Sequence, residues 1–177
     1  TICVDDYLRT TTHKNIYACG DVVGPYQFTH TAAHQAWYCA VNALFSPLKK
    51  FKVDYNAIPW CTFTDPEIAC VGLTEAEAKK QGRDIKIGRF NFAANGRALS
   101  MHAAEGLVKV VTDANDDSLL GVHMVGPNVT DMIAESAVAI EAGLTAEDIA
   151  LTIHPHPTLS EAIMEATADA LGEAIHI

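Results

Sequence analysis

Apolar and polar positions follow several distinct rhythms along the chain, and each rhythm predicts an element. At the start, "TICVD" and the run Ile16-Tyr17-Ala18-Cys19 are short and apolar, as in strands. The second run reads as a strand buried on both faces and is closed by Gly20-Asp21. In "FTHTAAHQAWYCAVNALF", Ala33, Ala36, Trp37, Ala40, Val41 and Leu44 recur at helical spacing. Pro47 and the basic "KKFK" end that helix and mark the expected domain boundary, near residues 46–57.

Beyond Pro59 the rhythm changes. "WCTFTD" and "IACVG" read as strands split by Asp65-Pro66, and Thr74-Glu75-Ala76-Glu77 is a capping box that opens a short helix stopping at Gly82. "DIKIGRFNF" alternates as a half-buried strand does, and "GLVKVVTDANDDSLLGVHMVG" reads as two strands around an Asp/Asn turn. "NVTDMIAESAVAIEAG" predicts an amphipathic helix with Gly143 as its stop, followed by a short helix in "TAEDIA". The last predicted helix, "TLSEAIMEATADAL", carries Leu159, Ile163, Ala166 and Ala170 on one face. The order β, β, α, β, β, β, α, α implies an α+β domain, with an antiparallel sheet and helices packed on one side.

Candidate chemistry concentrates in "HPHPTLSEA", residues 154–162, where three readings compete. One is a helix start: Thr158 as N-cap, with Glu161 reaching back to the N-cap amide. The second is a metal site built on His154 and His156, although no third histidine or cysteine is adjacent and HxH is a poor ligand set for zinc. The third is acid–base chemistry. A histidine on a proline-stiffened turn exchanges a proton near neutral pH, and a neighbouring carboxylate orients its ring. From the local sequence alone the cap has the advantage.

Composition narrows the partners. With 22 acidic against 12 basic residues in 177, the net charge of −10 argues against nucleic acid and anionic membrane surfaces. No apolar run approaches the length of a membrane span. Five cysteines, scattered and without a CxxC pair, argue for a reducing, cytoplasmic setting and read mostly as small buried hydrophobes. The chain starts with Thr and with strand-like spacing at once, so it reads as cut from something longer.

A carboxylate at the end of a buried strand, with a helix following, suits a polyhydroxyl ligand, because the helix presents free N–H groups to negative charge. Gly-Asp is also ordinary turn chemistry, and both readings of Asp21 stand at this point. The wider stretch "NIYACGDVVGPYQFTHTAAHQA" resembles the second flavin-binding motif of the pyridine-nucleotide disulfide oxidoreductases. The resemblance implies that Asp21 bonds the ribityl chain of FAD. It also implies that Gln27, Phe28, Thr29 and His30 lie beside the flavin's pyrimidine edge.

"HPHPTLSEA" with the terminal "ALGEAIHI" resembles the carboxyl end of the lipoamide dehydrogenase branch of that family. "TFTDPEIACVGLTEAEAKKQG" and "SLLGVHMVGPNVTDMIAESAVAIEAGLTAEDIA" extend the likeness over essentially the whole chain. The likeness implies His156 as active-site base, Glu161 as its partner and His154 in support. It implies residues 1–48 as the end of an FAD-binding domain, 49–57 as a linker and 58–177 as the interface domain. In the family that domain forms a homodimer and lends its histidine to the other subunit's flavin site.

The chain holds no Cys-x4-Cys pair and no GxGxxG, so family catalysis with FAD and NAD(P) belongs to a parent enzyme, and this chain alone is expected to be inactive. The aromatic helix and "FTDPEIACVG" resemble mercuric reductases, but the terminal cysteine pair of those enzymes is missing. The expected activity is oxidation of a dihydrolipoyl dithiol. The alternatives are a mercuric-reductase-like or other disulfide reductase, and a non-catalytic dimerisation module.

Overall fold

The computed structural model describes residues 1–176; Ile177, the last residue of the expected interface domain, lies outside them. The chain forms two compact units, Thr1–Tyr55 and the remainder from Asn56 onward.

The first unit is built around one helix, α1 (Thr29–Phe45). The expected strand at Ile16–Cys19 does not form. The run makes one antiparallel bridge, Arg9 with Tyr17, and Ile16 is 48% exposed. A strand buried on both faces needs ladders on both edges, and within this unit the run has a single bridge. The helix also turns the other way round from its pattern. Ala33, Ala36, Trp37, Ala40 and Leu44 face outward, and the buried side chains are Thr31, Gln35 and Asn42. The physical reason is hydrogen bonding. Asn42 donates to the carbonyls of Tyr7 and Phe51 and accepts from the Phe51 amide. Gln35 accepts from the Gly20 amide and donates to the Tyr55 hydroxyl. These two amides satisfy loop backbone that no sheet covers.

The second unit is the expected α+β domain. Its strands are β1 (Trp60–Thr62), β2 (Glu67–Gly72), β3 (Ile85–Asn91), β4 (Leu107–Asp113) and β5 (Leu119–Gly126). They form one antiparallel sheet in the order β1-β2-β5-β4-β3. The register Ala69↔Met124↔Val108↔Phe90 and Val71↔Val122↔Val110↔Gly88 places these residues on one face, which forms the core. Helix α4 (Val129–Glu141) packs on β2 and β5, and helix α6 (Glu161–Leu171) on β3 and β4. A Cβ at Gly88 would lie 1.8 Å from the Ala166 carbonyl oxygen, so α6 sits directly on the sheet backbone there.

Short helices complete the unit. Helix α2 (Glu75–Lys80) has the expected capping box and lies towards the opposite face, where Glu75 takes Lys109 at 2.6 Å. Helix α3 (Gly96–Ser100) follows a 3-10 turn at Phe92–Ala94, and α5 (Ala146–Ala150) is capped by Thr145 and Asp148. Among the described residues, no helix is long and apolar enough to cross a membrane.

The cysteines depart from the expected burial. Only Cys70 is buried; Cys19, Cys39 and Cys61 are half-buried and Cys3 is exposed. Cys61 and Cys70 sit on neighbouring strands, but their partners are Ala69 and Trp60, so they point to opposite faces. Burial pushes the Cys70 thiol up to about 11, which makes it inert.

Candidate functional site

The segment between α5 and α6 carries the two histidines. Each precedes a proline, which holds it extended, and in an extended chain residues two apart need not share an environment once the backbone turns. Here they differ sharply. The His154 side chain is 5% exposed and that of His156 is 75% exposed.

His154 faces inward. Its Nδ1 lies 2.8 Å from the Thr152 carbonyl oxygen and its Nε2 2.7 Å from Glu135 Oε1 on α4. Both nitrogens are engaged by protein oxygens, so His154 and His156 do not form a ligand pair. This removes the HxH metal reading. His154 instead ties the loop to a helix packed on the sheet.

His156 faces outward. Its Nδ1 lies 2.8 Å from Glu161 Oε1, and the other oxygen of that carboxylate accepts from the Thr158 amide at 2.8 Å. Burial alone would raise the Glu161 carboxyl, but the Thr158 amide and the His156 ring outweigh it, and the group is held below the usual carboxylate range. An ionised carboxylate accepts only, so the proton on Nδ1 is fixed and Nε2 is left with its lone pair on the exposed ring. That is the arrangement of a general base with an orienting partner. Replacing Glu161 by Ala should release this tautomer. Nitrogen-15 imidazole NMR of the chain is expected to show His156 protonated on Nδ1 in the wild type and a mixture of tautomers in Glu161→Ala.

The helix-start reading is corrected in part. Glu161 does reach back to the Thr158 amide, but the Thr158 hydroxyl donates to the Pro155 carbonyl instead of capping. Helix α6 begins at Glu161 with Ser160 before it. Its position is set by packing: Ala162, Ile163 and Ala166 are fully buried, and burying an isoleucine side chain contributes about 1.5–3 kcal/mol. A fixed helix start gives a fixed carboxylate.

Three supporting residues were not legible in the pattern. Buried Asn95 caps α3 at the Ala98 amide and donates to the Thr158 carbonyl at 3.0 Å. The Asn95-Gly96 pair was the available signal, since asparagine favours N-caps. Glu135 lies on the predicted α4 with nothing to mark it. Glu165, one turn after Glu161, is 3% exposed and accepts from His176 Nδ1 at 2.6 Å and from the amides of Ile175 and His176.

Burial would raise the Glu165 carboxyl, but these donors lower it below the usual value. A depressed folded pKa makes its stabilising contribution complete above the unfolded pKa of about 4.3 and lost as the pH falls through the lower folded value. The urea midpoint of the wild type is therefore expected to fall more steeply below about pH 4.3 than that of Glu165→Gln. The Ile175 and His176 amides should exchange faster in the variant at neutral pH.

In the first unit, Asp21 is exposed directly after Gly20, whose amide is held by Gln35. Gln27, Thr29 and His30 are exposed at the start of α1, and half-buried Phe28 stacks on His30 with ring centroids 5.2 Å apart. The 17-residue helix has no side-chain cap and no acidic residue in its first turn. A helix start of this kind suits an anionic group, because its dipole is positive there. An exposed carboxylate on the preceding turn suits hydroxyls. These residues fit a flavin with its ribityl chain.

The family model described as "Pyridine nucleotide-disulphide oxidoreductase, dimerisation domain" matches residues 58–167. The dihydrolipoyl dehydrogenase of Bacillus subtilis is 47% identical over 166 residues, 94% of this chain and 35% of the relative. That of Geobacillus stearothermophilus is 48% identical over 174 residues, 98% of this chain and 36% of the relative. The chain thus spans about a third of the length of these curated relatives. Among solved structures, LpdA from Mycobacterium tuberculosis matches with a TM-score of 0.86 at 27% identity, over 94% of this chain and 36% of that one. The HOCl-induced flavoprotein disulfide reductase RclA from Escherichia coli matches with 0.83 at 30% identity, over 94% and 38%.

Proposed function

Since the chain belongs to the pyridine nucleotide-disulphide oxidoreductases through its dimerisation domain, we propose that it is the carboxyl-terminal part of a dihydrolipoyl dehydrogenase and supplies that enzyme's proton-transfer pair. The observation that carries this reading is the His156–Glu161 contact at 2.8 Å on an exposed ring.

In this reading His156 Nε2 takes the proton of a dihydrolipoyl thiol as the thiolate forms. The thiolate, not the thiol, then attacks an enzyme disulfide contributed by residues outside this chain. Glu161 holds the Nδ1 proton and stabilises the imidazolium that results. His154 and Asn95 keep the loop in register. FAD, when bound, supplies the two-electron relay from the dithiol to NAD(P). Asp21 would accept from its ribityl hydroxyls, and Gln27, Phe28, Thr29 and His30 would border its pyrimidine edge. Residues 1–48 would then be the end of the FAD-binding domain, 49–57 a linker and the rest the interface domain, acting in the cytoplasm.

Exposed apolar residues in the second unit support a homodimer. Ile153, Phe63, Leu151 and Val138 are 95%, 82%, 74% and 66% exposed. Ile153 adjoins His154, so a partner that covers it would meet the loop that carries the base. A two-fold contact of this kind is self-complementary.

The similarity to RclA favours a second reading, that of a disulfide reductase with another substrate. Assaying the full-length enzyme with dihydrolipoamide and NAD+, oxidised glutathione and mercuric ion separates the two. Turnover of dihydrolipoamide at least tenfold above the others is expected. Preference for either of the others would replace the substrate assignment.

A further inference from the structure

Gly20 stands directly before Asp21 with φ +82°, and its carbonyl accepts from the Val23 amide at 2.9 Å. The direction of the Asp21 side chain is therefore set at Gly20, the residue type with the most backbone freedom to lose. The Gly20 amide donates to Gln35 Oε1 at 2.6 Å, which holds that residue against α1. Gln35 is fully buried, so it acts through Gly20 and not on a ligand.

The partners of Gln35 fix its orientation. A backbone N–H only donates, so Oε1 faces Gly20, and Nε2 is left to donate to the Tyr55 hydroxyl oxygen at 2.9 Å. Tyr55, the last residue of the first unit, also packs its ring against Tyr26, with centroids 5.2 Å apart. Tyr26 lies between Asp21 and Gln27, the two sides of the candidate flavin loop. One side chain thus braces the loop twice, through Gln35 at its start and through Tyr26 near its end.

We infer that Gln35 and Tyr55 are positioning residues that set the affinity of this loop for FAD, an inference that rests on the flavin reading of Asp21. Without the Tyr55 oxygen, the buried Gln35 amide has a donor with no acceptor, and a rotation that satisfies it releases Gly20. The loop then spends only part of its time in the conformation that presents Asp21, and apparent affinity falls by that fraction. Tyr55 acts on the flavin only through Gln35, so its effect disappears when Gln35 is gone.

The test is a double-mutant cycle in the full-length enzyme stripped of FAD and titrated with FAD, followed by flavin fluorescence. Tyr55→Phe keeps the ring against Tyr26 and is expected to raise the dissociation constant roughly tenfold. Gln35→Leu should raise it at least as much. Adding Tyr55→Phe to Gln35→Leu should change it by less than about twofold, because the oxygen has lost its donor. A residue that merely packs the unit would weaken binding equally in both backgrounds, and that result would overturn the proposal. Tyr55→Phe decides by itself if Gln35→Leu fails to fold: FAD affinity equal to that of the wild type would overturn the tie. Asp21→Ala in the same titration keeps the two readings apart. Unchanged affinity there would remove the flavin reading and the proposal with it, whereas a loss confined to Asp21→Ala would remove the proposal alone.

Discussion

Replacing His156 by Gln in the full-length enzyme is expected to lower kcat for dihydrolipoamide oxidation by roughly 10²–10⁴-fold, the contribution of a positioned general base. KM should change little, because the ring loses a proton site and the loop keeps its anchors. His154 still holds Glu135 and Asn95 still holds the Thr158 carbonyl in that variant. The loss should be steepest near neutral pH and shrink at alkaline pH, where the substrate thiol ionises without help. Steady-state rates across that range check this. A kcat equal to that of the wild type throughout would remove His156 from the role of base.

The second large effect is on the fold that positions this pair. Gly88 lies under α6, and a side chain there would meet the backbone at Ala166 and Ala170, at 1.8 Å and 2.7 Å. Backbone cannot rotate out of the way as a side chain can, so the helix must lift from β3. Overpacking at such a site costs about 3 kcal/mol or more. Gly88→Val is thus expected to lower the melting temperature by roughly 10 °C. It should also cut dithiol oxidation, because Glu161 begins the displaced helix. Gly82→Ala is the control. Its added Cβ meets nothing within 4 Å, and only the positive φ of +74° works against it, at about 1–2 kcal/mol. Thermal melts of the two variants side by side separate close packing from backbone conformation.

The second unit was far more legible in the sequence than the first. Its strands alternate because one sheet face meets α4 and α6, and the capping box at Thr74–Glu77 marked α2 correctly. The stripe Leu159, Ile163, Ala166 and Ala170 also faces the core as its spacing predicts: three are buried, and Leu159 packs partly buried against them. The first unit misled because hydrophobic periodicity reports which face can be buried, not what covers it. Trp37 and Leu44 are 55% and 76% exposed, while Gln35 and Asn42 are buried for the sake of loop amides. No apolar pattern encodes a hydrogen bond to backbone distant in sequence.

The site divides in the same way. The contact between His156 and Glu161 spans five residues and is local, so a turn that brings a helix start back towards its lead-in could be anticipated. The Glu135 contact of His154 spans 19 residues and the Asn95 contact of Thr158 spans 63, and both depend on the packed sheet. For the same reason the two histidines of one short motif could not be told apart beforehand. Their exposures of 5% and 75% are tertiary properties.

The central claim is that His156 acts on the dithiol and on nothing else in the catalytic cycle. Anaerobic reduction of the full-length enzyme, followed in its visible absorbance, tests this by comparing two reductants, dihydrolipoamide and NADH. In His156→Gln, reduction by dihydrolipoamide is expected to slow by at least about 10²-fold while reduction by NADH keeps the wild-type rate. Equal slowing with both reductants, or with neither, would contradict it.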